Sequence, residues 1–122
     1  MEPDGTFVRS IGRPGNHYGD LGKPKALALA PTGEVLVADA EFGVVHLFDE
    51  QGRLLLVLGG PHDLPGGTPL PSGLAIAKVV PERLQKLLPP GFQARYYLFV
   101  CNGTGRKRLA LFAVGKAGHT QP

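Results

Sequence analysis

Between residues 24 and 59 short apolar runs alternate with clusters of turn-forming residues. The runs "ALALA", "EVLVAD", "VVHLF" and "RLLLVLG" are separated by "PTG", "AEFG" and "DEQG". Each run is too short for a stable helix and is rich in Val, Leu or Ala, so each predicts a strand, with Gly, Pro and Asp supplying the turns. Strands joined this closely pair with their sequence neighbours as an antiparallel meander. Several are apolar at consecutive positions instead of every second one, so both faces of the sheet must be covered.

The pattern repeats. "GTFVRSIG" (5–12) matches "GRLLLVLG" (52–59) at an offset of 47 residues, and "PKALALA" (24–30) matches "PSGLAIA" (71–77) at the same offset. Beyond that, "EVLVADA" (34–40) matches "YLFVCNG" (97–103) at 63, and "LFD" (47–49) matches "LFA" (111–113) at 64. The second copy therefore carries an insertion of about 16 residues between its first two strands. Eight strands are predicted in all: one at 5–12, four from 26 to 59 and three from 73 to 114.

A four-stranded sheet covered on both faces by similar sheets is a propeller blade. The expected fold is all-β: two four-stranded antiparallel blades per chain, with a short helical insertion in the second. The whole chain, 1–122, reads as one propeller segment. Blade 1 spans 24–59, blade 2 spans 71–114 with its insertion at 79–96, and 5–12 is an outer strand that completes a neighbouring blade.

The stretch from Phe7 to Gly59 resembles an NHL repeat, through a Gly-rich lead-in "GNHYGDLGKP", the strands "ALALAPTGEVLVAD" and the strand and turn "VVHLFDEQG". The resemblance implies a six-bladed ring used as a binding platform, hence three copies of this chain. It also implies a non-enzymatic scaffold, with lactonase or lyase propellers acting at the central channel, and RNA binding through a basic face, as alternatives. Bacterial proteins of this kind are often exported, which implies an extracytoplasmic setting. The Asn and Arg that usually follow the Asp are replaced by Phe42 and Val44, and the second copy has Asn102 in place of the Asp itself.

The strand count motivates assembly. Phe7, Val8 and Ile11 form an apolar strand without a blade, and Leu109, Leu111 and Phe112 end a blade without an outer strand. The expected partner is the chain itself, in a ring closed by strand exchange, or a longer propeller chain; another protein is a further possibility.

Composition changes the picture in two places. The 122 residues include 43% hydrophobic residues, so the 18 Gly and 12 Pro mark turns and not disorder. The net charge of +3 is unevenly spread: residues 1–77 hold 5 basic and 9 acidic side chains, and residues 78–122 hold 8 basic and one acidic, Glu82. Acidic and basic halves would meet around a ring. No apolar stretch reaches a membrane-spanning length, and "MEPDGTFVRS" lacks the basic and apolar regions of a signal peptide. Cys101, the single cysteine, reads as a small buried hydrophobe.

Motifs that carry chemistry are sparse, and none requires a cofactor. "HYGDLGKP" (17–24) fails as a phosphate loop, because His17 replaces the first Gly and Pro24 the hydroxyl residue. His17 and His62, in the two lead-in loops, are candidate metal ligands together with Asp39 and Asn102, although no ligand spacing supports them. Asp39 reads first as a turn residue accepting backbone N–H bonds. The insertion predicts a short amphipathic helix over 80–90 that starts at Pro81, presents Leu84, Leu87 and Leu88 on one face and stops at "PPG". Leu84 and Leu87 are candidate partner contacts, as are the basic residues Arg95, Arg106, Lys107 and Arg108. Tyr96, Tyr97 and Phe99 lie in strands and are expected to pack between sheets, which argues against a nucleic-acid stacking platform.

Overall fold

The computed structural model describes residues 4–15, 17, 19–62, 64–105 and 108–117. Seven strands and one helical turn are found among them. Strands β1 (Pro24–Leu29), β2 (Val35–Asp39), β3 (Val44–Phe48) and β4 (Leu54–Gly59) form one antiparallel sheet in chain order. Strands β5 (Pro71–Ala77), β6 (Gln93–Asn102) and β7 (Leu109–Lys116) form a second, and α1 (Glu82–Gln85) lies between β5 and β6.

The register reproduces the offsets that the sequence predicts. Leu27 pairs with Val37 and Val37 with His46 in the first sheet; Leu74 pairs with Val100 and Val100 with Ala110 in the second. Even the irregularity is repeated: β1 and β2 shift register between Pro24 and Ala26, and β5 and β6 between Pro71 and Gly73. The two lead-in loops share their backbone as well. Leu21 N donates to Arg13 O and Thr68 N to Gly60 O, each at 2.8 Å, while Asp20 N donates to His17 O and Gly67 N to Leu64 O.

The two sheets pack face to face. Leu36, Val45 and Leu47 from the first, with Ala30, meet Tyr96, Leu98 and Val100 from the second, and Leu58, Leu74, Ile76 and Phe112 pack around them. Pleating sends alternate side chains to opposite faces, so one face of each sheet is spent on this core. The backbones come closest where β1 and β5 run side by side. Elsewhere the sheets meet through larger side chains such as Leu47, Tyr96 and Phe112.

The observed elements depart from the predicted ones at the arm and in the insertion. Residues 5–12, expected to complete a neighbouring blade, form no strand within their own chain; Phe7 and Val8 are exposed, and the segment is held by Arg9 Nη1 donating to Glu50 O and by Ile11 against Gly52. The helix is a single turn, Glu82–Gln85, not 80–90. Pro81 gives no side-chain cap, and Leu88 precedes Pro89, which disfavours helical backbone at Leu88. Leu84 in that turn and Leu88 beyond it are half-buried, whereas Leu87, also beyond it, is 78% exposed. The insertion is also shorter than 79–96, because Gln93, Ala94 and Tyr96 already pair with Lys116, Gly115 and Val114. Among the described residues no helix is long and apolar enough to cross a membrane.

Candidate functional site

Each sheet has a second face, and the repeat shows how those two faces relate. In the first sheet, Leu36, Ala38, Val45 and Leu47 point into the core and are buried. Their counterparts in the second sheet, by register, are Phe99, Cys101, Leu109 and Leu111, which point the other way. Leu109 and Leu111 are exposed there, as is Cys101. The expectation that Cys101 is buried is thus overturned: its face of β6 is turned from the first sheet, and none of the described residues covers it.

The reciprocal relation holds on the first sheet. Leu74 and Ile76 of β5 pack against the core, while their counterparts on β1, Leu27 and Leu29, are 66% and 70% exposed. The open positions of β1 thus match buried positions of β5, and those of β6 and β7 match buried positions of β2 and β3; Val37, His46 and Phe48, on the same face as Leu27, are buried, so the first sheet's second face is open at β1 and closed over β2 and β3. Such faces are complementary to each other head to tail, not to themselves.

Leu109 and Leu111 are also on the edge of β7 that pairs with no described strand. Beside that edge runs a shallow cleft lined by Leu64, Pro65, Gly66 and Gly67 of the second lead-in loop and by residues 109–112, including Phe112. Phe7 and Val8 are 79% and 88% exposed, and Ile11 is half-buried. The structure does not bring these three to β7 within one chain.

The polar candidates have local roles. Asp39, fully buried, accepts backbone N–H bonds from Gly22 (2.8 Å), Lys23 (3.0 Å) and Glu41 (3.0 Å), and its Oδ2 lies 3.3 Å from Nε2 of His46. Burial by itself would raise its pKa. The N–H bonds from Lys23, Gly22 and Glu41, with the His46 contact, outweigh that and hold the carboxyl below its ordinary value. Asp39 thereby fastens the first lead-in loop to the β2–β3 turn, the structural role expected of it. The pairing with buried His46 was not legible, because it depends on β3 lying beside β2 with both side chains on one face.

Asn102 occupies the matching place in the second sheet, and its Nδ2 and Oδ1 have no partner among the described residues. Pro69, standing where Gly22 does, has no N–H to give. His17 and His62 do not meet. His17 is exposed beside Asp20, and His62 accepts from Leu64 N. Among the described residues no group of three or more His, Cys, Asp or Glu side chains comes together. Asp20, also buried, takes N–H bonds from His17 and then from the Arg13 side chain, which lower its pKa and fix the turn of that loop.

Of the basic candidates, Arg95 is exposed on β6, and Arg108 donates to Gly105 O and Gly103 O of its own turn. Arg106 and Lys107 lie outside the described residues. Tyr96 is wholly enclosed between the sheets and donates to Glu34 Oε1 at 3.2 Å. Its pKa is raised, chiefly by burial and then by the charge of Glu34. Tyr97 is buried and Phe99 half-buried. No family model and no curated protein matches the chain.

Proposed function

We propose that the chain is a non-enzymatic interaction module whose sheets are propeller blades and whose first partner is another copy of itself. The observation that carries this reading is the reciprocity of the open apolar positions on β1 and on β6 and β7. Leu27 and Leu29 stand where Leu74 and Ile76 stand in the internal interface, and Leu109 and Leu111 stand where Val45 and Leu47 stand. A second copy, displaced as the second sheet is from the first, would bury these positions with contacts of a kind the chain already makes. The same displacement repeated turns a stack into a ring if it closes by rotation.

Two further features support it. The sheets approach most closely at β1 and β5, as blades do around an axis. The chain is acidic through residue 77 and basic beyond it, so each head-to-tail contact would join opposite charges. The resemblance to NHL repeats gives the copy number: six blades, three chains. The assembled ring would then serve as a scaffold for other proteins.

Charge placed on either open face provides the test. Leu29→Asp and Leu111→Asp alter exposed positions, so each variant is expected to keep its far-ultraviolet circular dichroism and to sediment as a single chain. If both variants sediment like an assembled parent, the faces are not the contact.

A further inference from the structure

The lead-in loops show what the arm at residues 5–12 is prepared to do. Gly59, the last residue of β4, has φ +81° and hands the chain to the second loop; Gly12 has φ +78° and hands it to the first. Gly19 and Gly66 match in the same way, at +87° and +84°. With the shared hydrogen bonds Leu21 N to Arg13 O and Thr68 N to Gly60 O, the arm joins its loop as β4 joins the next one. The arm is therefore aimed as an outer strand is aimed, but it pairs with no sheet among the described residues.

The vacancy that fits it is at β7. In the first sheet, Leu54 of β4 packs over the lead-in loop, its Cβ 3.6 Å from where a Cβ on Gly19 would stand. At the matching Gly66, a Cβ would meet nothing within 4 Å among the described residues. Gly66 lines the cleft beside β7, and the residue that matches Leu54 in the arm is Phe7.

We infer that residues 7–12 of one copy add antiparallel to the free edge of β7 in another, and that Phe7 fills the cleft at Gly66. This rests on the proposed self-assembly and adds a strand to it. The register follows from β3 and β4. Val45 pairs with Leu58, Leu47 with Leu56 and Phe48 with Leu54, so Leu109 takes Ile11, Leu111 takes Arg9 and Phe112 takes Phe7 of the second copy. Edge addition satisfies the unpaired N–H and C=O groups of β7, and the alternating side chains fix the register.

The experiment is a disulfide trap in the full chain. With Cys101→Ser, the pair Ile11→Cys and Leu109→Cys is oxidised and run on a denaturing gel without reductant, beside the off-register pair Val8→Cys and Leu109→Cys. Opposed residues of paired strands lie within disulfide reach, so the first pair is expected to give covalent species of two or more chains and the second at least ~10-fold less. A cross-link confined to one chain overturns the proposal, and so does equal trapping by both pairs. No trapping in a protein that still sediments as an assembly removes the strand but leaves face stacking, whereas a parent that is a single chain removes both. Phe7→Ser supplies a readout independent of oxidation. Phe7 is exposed within its own chain, so the variant is expected to keep its fold and to dissociate at ~10-fold or more higher concentration than the parent; unchanged dissociation overturns the seat at Gly66.

Discussion

Ala38 and Cys101 stand at the same place in the two sheets, paired respectively with Val45 and Leu109, yet Ala38 is fully buried and Cys101 is exposed. The difference is the presence of a second sheet over one and not the other. If another copy supplies that sheet, the thiol becomes a reporter of assembly. Its reaction with a bulky maleimide is expected to slow by ~10-fold or more between nanomolar and tens of micromolar protein, as mass action fills the contact. A rate independent of protein concentration would mean that this face stays open.

Asp39 holds three short backbone N–H bonds and lies beside His46 in a fully buried position. Asp39→Asn keeps the shape and removes the charge, and is expected to cost about 2 kcal/mol in urea unfolding at pH 7 and fixed protein concentration. The folded-state pKa is lowered, so the carboxylate's contribution is complete above its unfolded value near ~4 and is lost as pH falls through the folded value. The gap between parent and variant should therefore narrow on going from pH 7 to pH 3. A gap that widens in acid would show that the charge is not what stabilises the loop.

Tyr96 is the largest fully buried side chain among the described residues and sits between the sheets with its hydroxyl on Glu34. Tyr96→Ala is expected to cost about 3–5 kcal/mol, by analogy with other aromatic truncations in cores. Tyr96→Phe, which removes only the hydrogen bond, should cost about 1 kcal/mol. Equal losses from the two, measured by chemical denaturation, would place the stabilisation in the hydroxyl and not in the ring.

Leu87 gives the opposite expectation. It is exposed after the single turn of α1, so Leu87→Asp should change unfolding stability by no more than about 0.5 kcal/mol. A loss of about 2 kcal/mol would mean that the insertion is packed on the sheet after all.

The meander was legible because its signals are local: apolar runs of strand length, turn residues between them, and offsets of 47, 63 and 64 that the pairing register follows from Pro24 and Pro71 onward. The helix was overread because Leu84, Leu87 and Leu88 have helical spacing, whereas the proline after Leu88 acts against the turn they need. Cys101 was misplaced for another reason. A strand's pattern says that it has two apolar faces, but not whether one chain holds enough sheets to cover both. The partnership of Asp39 with His46 required knowing which residues of β2 and β3 lie side by side.

The central claim is that the open faces of one copy are covered by others in a closed ring. Native mass spectrometry of the 122-residue chain at micromolar concentration measures this directly, since the mass gives the copy number without assuming a shape. The predicted result is a dominant species of three chains, near three times 12.9 kDa, that falls to single chains on dilution or on Leu29→Asp substitution. A folded single chain at every concentration would contradict the account, and a two-chain species that never reaches three would contradict the ring.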